Sequence, residues 1–456
     1  MKNWRPNVRN LYRIHPRRSR SVINASPPIV LAGGFACLIL LGTLLLKLPF
    51  ATVTPIDWLQ ALFTATSAVT VTGLVVVDTG TQFTHAGQVI IAMLIQAGGL
   101  GFMTFAVVAA LSLAGRLGVR GQVMAQEAFN QTSLAQVGRI AKGVLLFAFT
   151  IELIGFVLLT LVWWPEQGLG QAAFNGFFYV ISAFNNAGFA LSSDSLMAYV
   201  GHIPVNLIIT GLFIVGGLGF VVLLDIYDNR RWSKLSVYTK AIILTTLIVN
   251  LVAFVLMWLL ESNNPATLAG KPWSTQIMGA WFQAVTPRTA GFNTLDTSAL
   301  TEASSLLTIF LMFIGGGSMS TAGGIKLGTF IVLMVATYAF LRRREHVTLL
   351  RRTVPPEMVV KALAVSMIMV MLAFIGVFAL AVLERADFID VVFEVVSALG
   401  TVGLSRGLTG DLSAASQCVI MLLMFSGRIG AVTLAYFLAT PQKRHVRYPK
   451  MDIQVG

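Results

Sequence analysis

The chain has 456 residues, 56% of them hydrophobic and 11% charged, and its 32 basic and 19 acidic side chains give a formal net charge of +13. A water-soluble domain carries about 25% charged residues, so this composition excludes an ordinary soluble fold and points to a bilayer. Nucleic-acid binding, the other common reason for a basic chain, is argued against by the placement of the charges, which cluster between long apolar stretches.

In chain order, residues 1–26 form a basic tail carrying Lys2, Arg5, Arg9, Arg13, Arg17, Arg18 and Arg20. No small-residue cleavage site follows a short apolar core, so the first apolar span is expected to stay in the mature protein. A helix needs about 20 apolar residues to cross the hydrocarbon core. Residues 28–46, 89–114, 203–224, 241–260 and 362–383 qualify without a single charge. Further basic clusters separate the apolar regions. They are Arg116, Arg120, Arg139 and Lys142; Arg230, Arg231, Lys234 and Lys240; Arg342, Arg343, Arg344, Arg351, Arg352 and Lys361; and Lys443, Arg444, Arg447 and Lys450. By the positive-inside rule all five clusters, and both termini, face the cytoplasm. Cys37 and Cys418 lie in apolar spans and indicate no disulfide framework.

Between clusters the chain travels out and back, which divides it into four units, 27–115, 139–226, 239–343 and 358–440, with a second cytoplasmic tail at 441–456. Inside each unit, between two apolar spans, lies an amphipathic stretch ending in glycine. The four read FTATSAVTVTGL (63–74), FYVISAFNNAGF (178–189), WFQAVTPRTAGF (281–292) and FEVVSALGTVGL (393–404). Gly73, Gly188, Gly291 and Gly403 are separated by 115, 103 and 112 residues, and an aromatic stands ten residues before each. Six residues before, Ser67, Ser182 and Ser397 recur, with Val285 as the exception. A second glycine cluster follows each loop at a near-constant lag, 25 residues to Gly98, 28 to Gly216, 25 to Gly316 and 24 to Gly427. A repeat of this kind fixes architecture before any other signal does. The expected fold is an all-α membrane protein: four pseudo-symmetric span–re-entrant loop–span repeats around a central ion pore, with eight membrane spans.

Non-helical backbone at membrane depth is tolerated only where it is buried in protein or lines water. Four such loops in register can meet around one axis. There their carbonyl oxygens replace the hydration shell of a cation. Glycine supplies the positive φ such a loop needs. The preceding helices aim their negative dipole ends at the axis. The candidate filter residues are Thr70, Val71, Thr72 and Gly73; Asn185, Asn186, Ala187 and Gly188; Thr289, Ala290 and Gly291; and Thr401, Val402 and Gly403. Their backbone is expected to bind potassium. Asp78, Asp194, Asp296 and Asp411 follow the four glycines by 5, 6, 5 and 8 residues. They either ring an outer mouth and concentrate cations, or simply open the next helix as Asp often does.

These motifs resemble those of the Trk/Ktr/HKT superfamily of cation transporters, most closely the KtrB membrane subunits of bacterial Ktr potassium uptake systems. The resemblance covers nearly the whole chain and rests on TVTGL, NNAGF, RTAGF and TVGL, with GGGSMSTAGGIK in the third unit and SGRIG in the fourth. It implies a potassium-translocating subunit of the bacterial inner membrane, often sodium-stimulated, that forms homodimers. It also implies a KtrA-like cytoplasmic ring of regulatory subunits that binds ATP, ADP or NAD-type ligands. Gly73 at the first filter goes in that family with potassium rather than sodium preference. The chain itself is expected to hold no cofactor beyond transported K+ and possible Na+. GGGSMSTAGGIK lacks the Gly-Lys-Ser/Thr order of a phosphate loop.

The same segment is the candidate gate. Gly and Ser at 315–328 cannot sustain a helix without packing, and a break at this depth needs a water-filled path beside it. The resemblance likewise implies an intramembrane loop that blocks the pore. Gly315, Gly316, Gly317, Ser318, Ser320, Thr321, Gly323 and Gly324 form it. Lys326 at its inner end either acts in the gate or, the favoured reading, snorkels to the cytoplasm. Arg428 interrupts an otherwise uncharged run, and an intramembrane arginine is a functional hypothesis by default. It is expected to repel cations or to hold the flap closed through its carbonyls; the plainer alternative is an arginine bound to helix-end carbonyls. Glu152 either pairs with a basic residue near the cytoplasmic boundary or binds sodium; no partner is identifiable by spacing, and the structural reading is favoured. Arg288 is expected to prop the third loop from behind.

An alternating-access carrier is the rival of another class, but such carriers are often built from inverted repeats, and these four are parallel. A less selective potassium/sodium transporter is the rival within the class. No enzyme is expected: His15, His85, His202, His346 and His445 fall at span edges or in tails.

Overall fold

The computed structural model describes residues 27–114 and 134–430, with side chains over 32–100 and 143–430. The tails 1–26 and 441–456, with their basic clusters, lie outside the described residues, as do Arg116, Arg120 and the side chains of Arg139 and Lys142. The described chain is mostly helical. It runs α1 (Pro27–Leu46), α2 (Trp58–Thr70), α3 (Thr79–Gln82), α4 (His85–Ala114), α5 (Leu134–Gln167), α6 (Leu169–Phe184), α7 (Ile203–Leu218) and α8 (Phe220–Asn229). Then come α9 (Val237–Glu261), α10 (Trp273–Val285), α11 (Glu302–Phe313), α12 (Leu327–Leu341), a small hairpin of β1 (Thr348–Leu349) and β2 (Arg352–Thr353), α13 (Pro356–Leu383), α14 (Phe388–Gly400) and α15 (Ala414–Ile429).

Small polar caps start several of these helices. Ser236 accepts from Thr239 N at 3.1 Å, Thr301 from Ser304 N at 3.2 Å, and Ser413 from Ser416 N at 3.4 Å. Each satisfies a backbone donor that an apolar residue would leave open.

Among the described residues, three helical segments are long and apolar enough to cross a membrane: Gly143–Gln167, Val237–Glu261 and Pro356–Leu383. A fourth is formed if α7 and α8 count as one span, and the remaining apolar helices are shorter. The exterior is unlike that of a soluble protein. Large apolar side chains face outward along whole helices, among them Leu247, Leu251 and Leu259 on α9 and Val370, Phe374 and Phe378 on α13. Beside an apolar core the interior also holds many threonines, serines and asparagines, with Thr64, Ser67, Thr70, Thr72, Asn185, Thr289 and Thr401 fully buried. Large apolar side chains exposed in this number mark a lipid or protein contact surface.

The short helices α2, α6, α10 and α14 expose their first residues, Trp58, Leu169, Trp273 and Phe388, and bury most of their C-terminal halves. In α14, Val391 and every residue from Phe393 to Gly400 are buried. α2 and α14 stop in the same way. Val71 and Thr401 adopt left-handed φ of 57° and 49°. Beyond them, Thr72 N–H donates to Ser67 O and Val402 N–H to Ser397 O, both at 2.9 Å. This is a C-terminal capping arrangement that satisfies helix-end carbonyls, and glycine is the residue that usually occupies it.

Two expected segments need correction. Residues 203–224 are not one straight span: the chain turns by 93° between α7 and α8. Gly219, with φ +98°, makes the break, and the N–H freed at Phe220 donates to Met319 O at 3.1 Å. The non-helical part of 315–328 is displaced: Ile314 through Lys326 lie between α11 and α12, while Leu327 and Gly328 already belong to α12.

Candidate ion-coordinating ring and the segment beside it

The four loop glycines come together in one closed ring. All have positive φ, at 97° for Gly73, 69° for Gly188, 78° for Gly291 and 94° for Gly403. A Cβ on Gly73 would sit 2.3 Å from Ala187 O; on Gly188, 3.0 Å from Ala290 O; on Gly291, 2.3 Å from Val402 O; and on Gly403, 2.1 Å from Thr72 O. Each loop thus presses on the carbonyl before the glycine of the next loop, and the fourth returns to the first. The residue two before each glycine is also left-handed: Val71, Asn186, Thr289 and Thr401. For three of them this is costly backbone, two being β-branched threonine and one valine. It persists because the surroundings over-determine it.

Hydroxyls hold each loop from behind. Ser67 Oγ accepts from Gly73 N at 3.0 Å, and Ser397 Oγ from Gly403 N at 3.1 Å. Ser182 Oγ donates to Phe189 O at 2.8 Å. The third loop, where Val285 breaks the serine pattern, uses the next residue: Thr286 Oγ1 donates to Phe292 O at 2.5 Å. Thr70 Oγ1 donates to Thr66 O at 2.7 Å and lies 2.8 Å from Thr72 Oγ1.

The constant lag to the second glycine cluster also has a physical cause. A Cβ on Gly98 would lie 1.9 Å from Val69 O, one on Gly216 2.0 Å from Phe184 O, and one on Gly427 2.0 Å from Leu399 O. Each of these carbonyls stands four residues before a ring glycine. Glycine lets the later helix back directly against the end of the short helix. In the third set the cluster turns elsewhere: a Cβ on Gly316 would lie 2.4 Å from Gly217 O and one on Gly317 2.1 Å from Leu218 O.

Residues 314–326 find their backbone partners partly in that neighbour and partly within the segment. Gly317 N donates to Gly217 O at 2.8 Å, Thr321 N to Gly216 O at 3.4 Å, and Gly315 N to Ile325 O at 2.9 Å. Ser318 N reaches Tyr238 Oη at 3.1 Å. Gly323 packs toward Thr401 of the ring, where its Cβ would meet Oγ1 at 2.0 Å. Gly324 has φ +63°, and Ser320 Oγ is buried without a hydrogen-bond partner. Lys326 Nζ donates back to Ala322 O within the segment, a different course from the expected snorkelling. Arg428 donates to Thr321 O from Nη1, and from Nη2 to Gly98 O at 2.6 Å and Gly99 O at 3.2 Å. Its guanidinium therefore joins α15, α4 and the broken segment.

Arg288 points away from the ring, and its Nη1 donates to Asn250 Oδ1 on α9 at 2.9 Å. The acids after the glycines are engaged locally. Asp78 accepts from Thr81 N at 2.7 Å and Thr81 Oγ1 at 2.8 Å. Partial burial opposes its ionisation, but hydrogen bonds from Ser193 and Thr81 outweigh this and hold its pKa below the ordinary aspartate value. Asp194 accepts from Ser192 Oγ at 2.7 Å, and Asp296 from Ser298 Oγ at 2.6 Å. Asp411 is exposed at the end of a 3-10 turn.

Glu152 does not pair with a base, the sole ion pair among the described residues being Arg406–Asp390 at 2.6 Å. Its carboxylate accepts from Gln96 Nε2 at 2.9 and 3.0 Å and from Asn185 Nδ2 at 3.3 Å. Those partners are 56 and 33 residues away, beyond any local pattern. Sequence reasoning passed over Glu394 altogether. Fully buried on α14, it accepts from Ser405 Oγ at 2.8 Å and from Thr409 Oγ1, and so braces the turn after the fourth loop. Tyr179 is its counterpart on α6, nine residues before its own ring glycine, accepting from Leu191 N at 3.2 Å and Ser192 N at 3.3 Å.

Comparison with known proteins is consistent with this architecture. Residues 36–448 match the family model described as TrkH, cation transport protein. The chain is 46% identical over 434 residues to the Ktr system potassium uptake protein B of Bacillus subtilis, covering 95% of this chain and 98% of that one. It is 42% identical to the protein of the same name from Vibrio alginolyticus, covering 97% of each. It is 35% identical to the potassium/sodium uptake protein NtpJ of Enterococcus hirae, over 94% of this chain and 97% of that one. Among solved structures, the potassium transporter TrkH of Vibrio parahaemolyticus superposes with a TM-score of 0.71 at 20% identity, over 94% of this chain and 87% of that one, a likeness of fold. The chain belongs to the TrkH family of cation transport proteins, which are transporters and not enzymes.

Proposed function

We propose that this chain is the potassium-translocating membrane subunit of a bacterial Ktr-type uptake system, conducting ions through the ring of four glycine loops. The observation that carries the reading is the cyclic contact of Gly73, Gly188, Gly291 and Gly403, each backed onto a neighbouring loop's carbonyl. Crowded carbonyls with no side chain between them are the groups that replace a cation's hydration shell. Thr70, Val71, Thr72, Asn185, Asn186, Ala187, Thr289, Ala290, Thr401 and Val402 supply the remaining filter backbone. The names of the relatives support potassium as cargo, and NtpJ's name supports a potassium/sodium variant.

In this reading residues 314–326 form the gate, with Arg428 as the clasp that holds it. Asp78, Asp194, Asp296 and Asp411 line the outer approach. Four units of 27–115, 139–226, 239–343 and 358–440 supply eight spans, with both termini in the cytoplasm. The chain works as a homodimer in the inner membrane with a KtrA-like nucleotide-binding ring, and external sodium stimulates it.

The test is potassium uptake into cells lacking their own potassium transporters, comparing the parent with Gly291→Asp, with and without external sodium. The expected result is uptake by the parent that is lost or altered in selectivity in Gly291→Asp. Equal uptake and selectivity in both would overturn the reading.

A further inference from the structure

We infer that Asn186 is a specificity-determining positioning residue that ties the glycine ring to the 314–326 segment, so that ion selectivity depends on where that segment sits. The inference rests on the ring-as-filter reading and deepens it.

The Asn186 side chain is 1% exposed and bridges two elements. On one side is Thr289 Oγ1, in the next loop of the ring, at 3.2 Å. On the other is Thr321 Oγ1, in the broken segment, also at 3.2 Å. The amide orientation that satisfies both its ends puts Nδ2 on Thr321 Oγ1 at 3.2 Å and within 3.1 Å of Phe213 O, with Oδ1 accepting from Thr289 Oγ1 at 3.2 Å. Asn186 is itself one of the left-handed ring residues, with φ 60°. Its backbone leads directly to Ala187 O, the carbonyl that Gly73 backs onto.

A buried amide that loses a partner is costly. When the segment moves, Thr321 leaves, and Asn186 Nδ2 is left to Phe213 O at 3.1 Å and Phe184 O at 3.3 Å, which re-aims the amide that Thr289 holds by its other end. The ring then changes shape on two of its four sides. The equivalent positions cannot do this. Val71 has no polar side-chain atom, Thr289 is Asn186's own partner, and Thr401 Oγ1 has no hydrogen-bond partner. The bond is also separable from Arg428, which binds the Thr321 carbonyl and not its hydroxyl.

Thr321→Val removes the hydroxyl at nearly constant shape and leaves the carbonyl for Arg428. The measurement is the ratio of potassium to sodium uptake by the full-length chain in cells lacking their own potassium uptake, normalised to its abundance in the membrane. Thr321→Val and Asn186→Leu are each expected to change the ratio about threefold to tenfold, the scale of one hydrogen bond. The double variant is expected to change it no further than the larger single one. Thr321→Ser, which restores a hydroxyl, is expected to return the parent ratio. A Thr321→Val chain with altered total flux and an unchanged ratio would overturn the inference, leaving a segment that only blocks. So would fully additive effects. Gly291→Asp run alongside separates the two levels: if it leaves both uptake and the ratio unchanged, the filter reading fails; if it abolishes uptake or alters the ratio while Thr321→Val leaves the ratio unchanged, the coupling alone fails.

Discussion

The first and third glycine clusters start from similar sequence and end differently. QAGGLGF lies within α4, which runs unbroken from His85 to Ala114. IGGGSMSTAGG lies where helix is lost from Ile314 to Lys326. In α4, Gly98 closes against Val69 O of its own short helix, and its helical hydrogen bonds survive. In the third set the glycines close against Gly217 O and Leu218 O, at the bend after α7. Backbone groups freed in one broken helix are met by those freed in the other. Two breaks side by side satisfy each other at a depth where water does not. A glycine cluster in an apolar helix therefore does not dictate a break; the neighbour decides.

Four changes test this contrast, beginning with the largest effect. Gly98→Ala sets a methyl 1.9 Å from Val69 O, where only backbone can yield. Membrane abundance and uptake are expected to fall at least about tenfold. Gly211→Ala, with nothing within 4 Å, serves as the unaffected control. Arg428→Ala removes charge-assisted bonds worth about 1.5–3 kcal/mol each before relaxation. Uptake without stimulation is expected to rise about tenfold, with Arg428→Lys intermediate because a lysine cannot fork to two elements at once. Unchanged transport and regulation in Arg428→Ala would remove the clasp from the proposal.

Glu152→Gln should act more mildly. It leaves the shape of the cluster but places one amide against Gln96 and Asn185, so about a twofold to fivefold loss of uptake is expected, and parent-like uptake would make the carboxylate dispensable. Asp78→Asn is the smallest. A carboxyl whose folded pKa is lowered contributes stability above its ordinary value of 3.8 and loses it as pH falls through the lowered value. The difference in thermal stability between parent and variant is therefore expected to be constant from pH 8 to 5 and to shrink only below about pH 4. A difference that changed between pH 8 and 5 would assign the titration to another group.

Much of this fold is written in local chemistry that one sequence exposes. The residues spaced by the fourfold recurrence, Gly73, Gly188, Gly291 and Gly403, are those that meet in the ring. The lag to Gly98, Gly216 and Gly427 reflects one backbone contact repeated three times. The loss of helix near 315–328 follows from composition, and its displacement by one or two residues is the usual uncertainty of a helix end. What stayed hidden depends on tertiary neighbours. The bend at Gly219 needs Met319 to receive Phe220 N–H, from a different part of the chain. Glu152 was visible as an intramembrane acid, but its amide partners are set by packing of α4, α5 and α6. Thr286 took the hydroxyl role of the missing serine one position late, which a strict register overlooks.

The four loops share backbone angles but not side chains, and they are carried on one polypeptide. In a ring of identical subunits every mutation is inherited by all members together. Here a single codon alters one quarter of the circle, while the other three still hold its neighbours in place. Each quadrant is a separate unit of inheritance under a common geometric constraint. Lopsided rings are thus open to this chain by single steps, and its second and third quadrants, NNAG and RTAG, differ from the first and fourth.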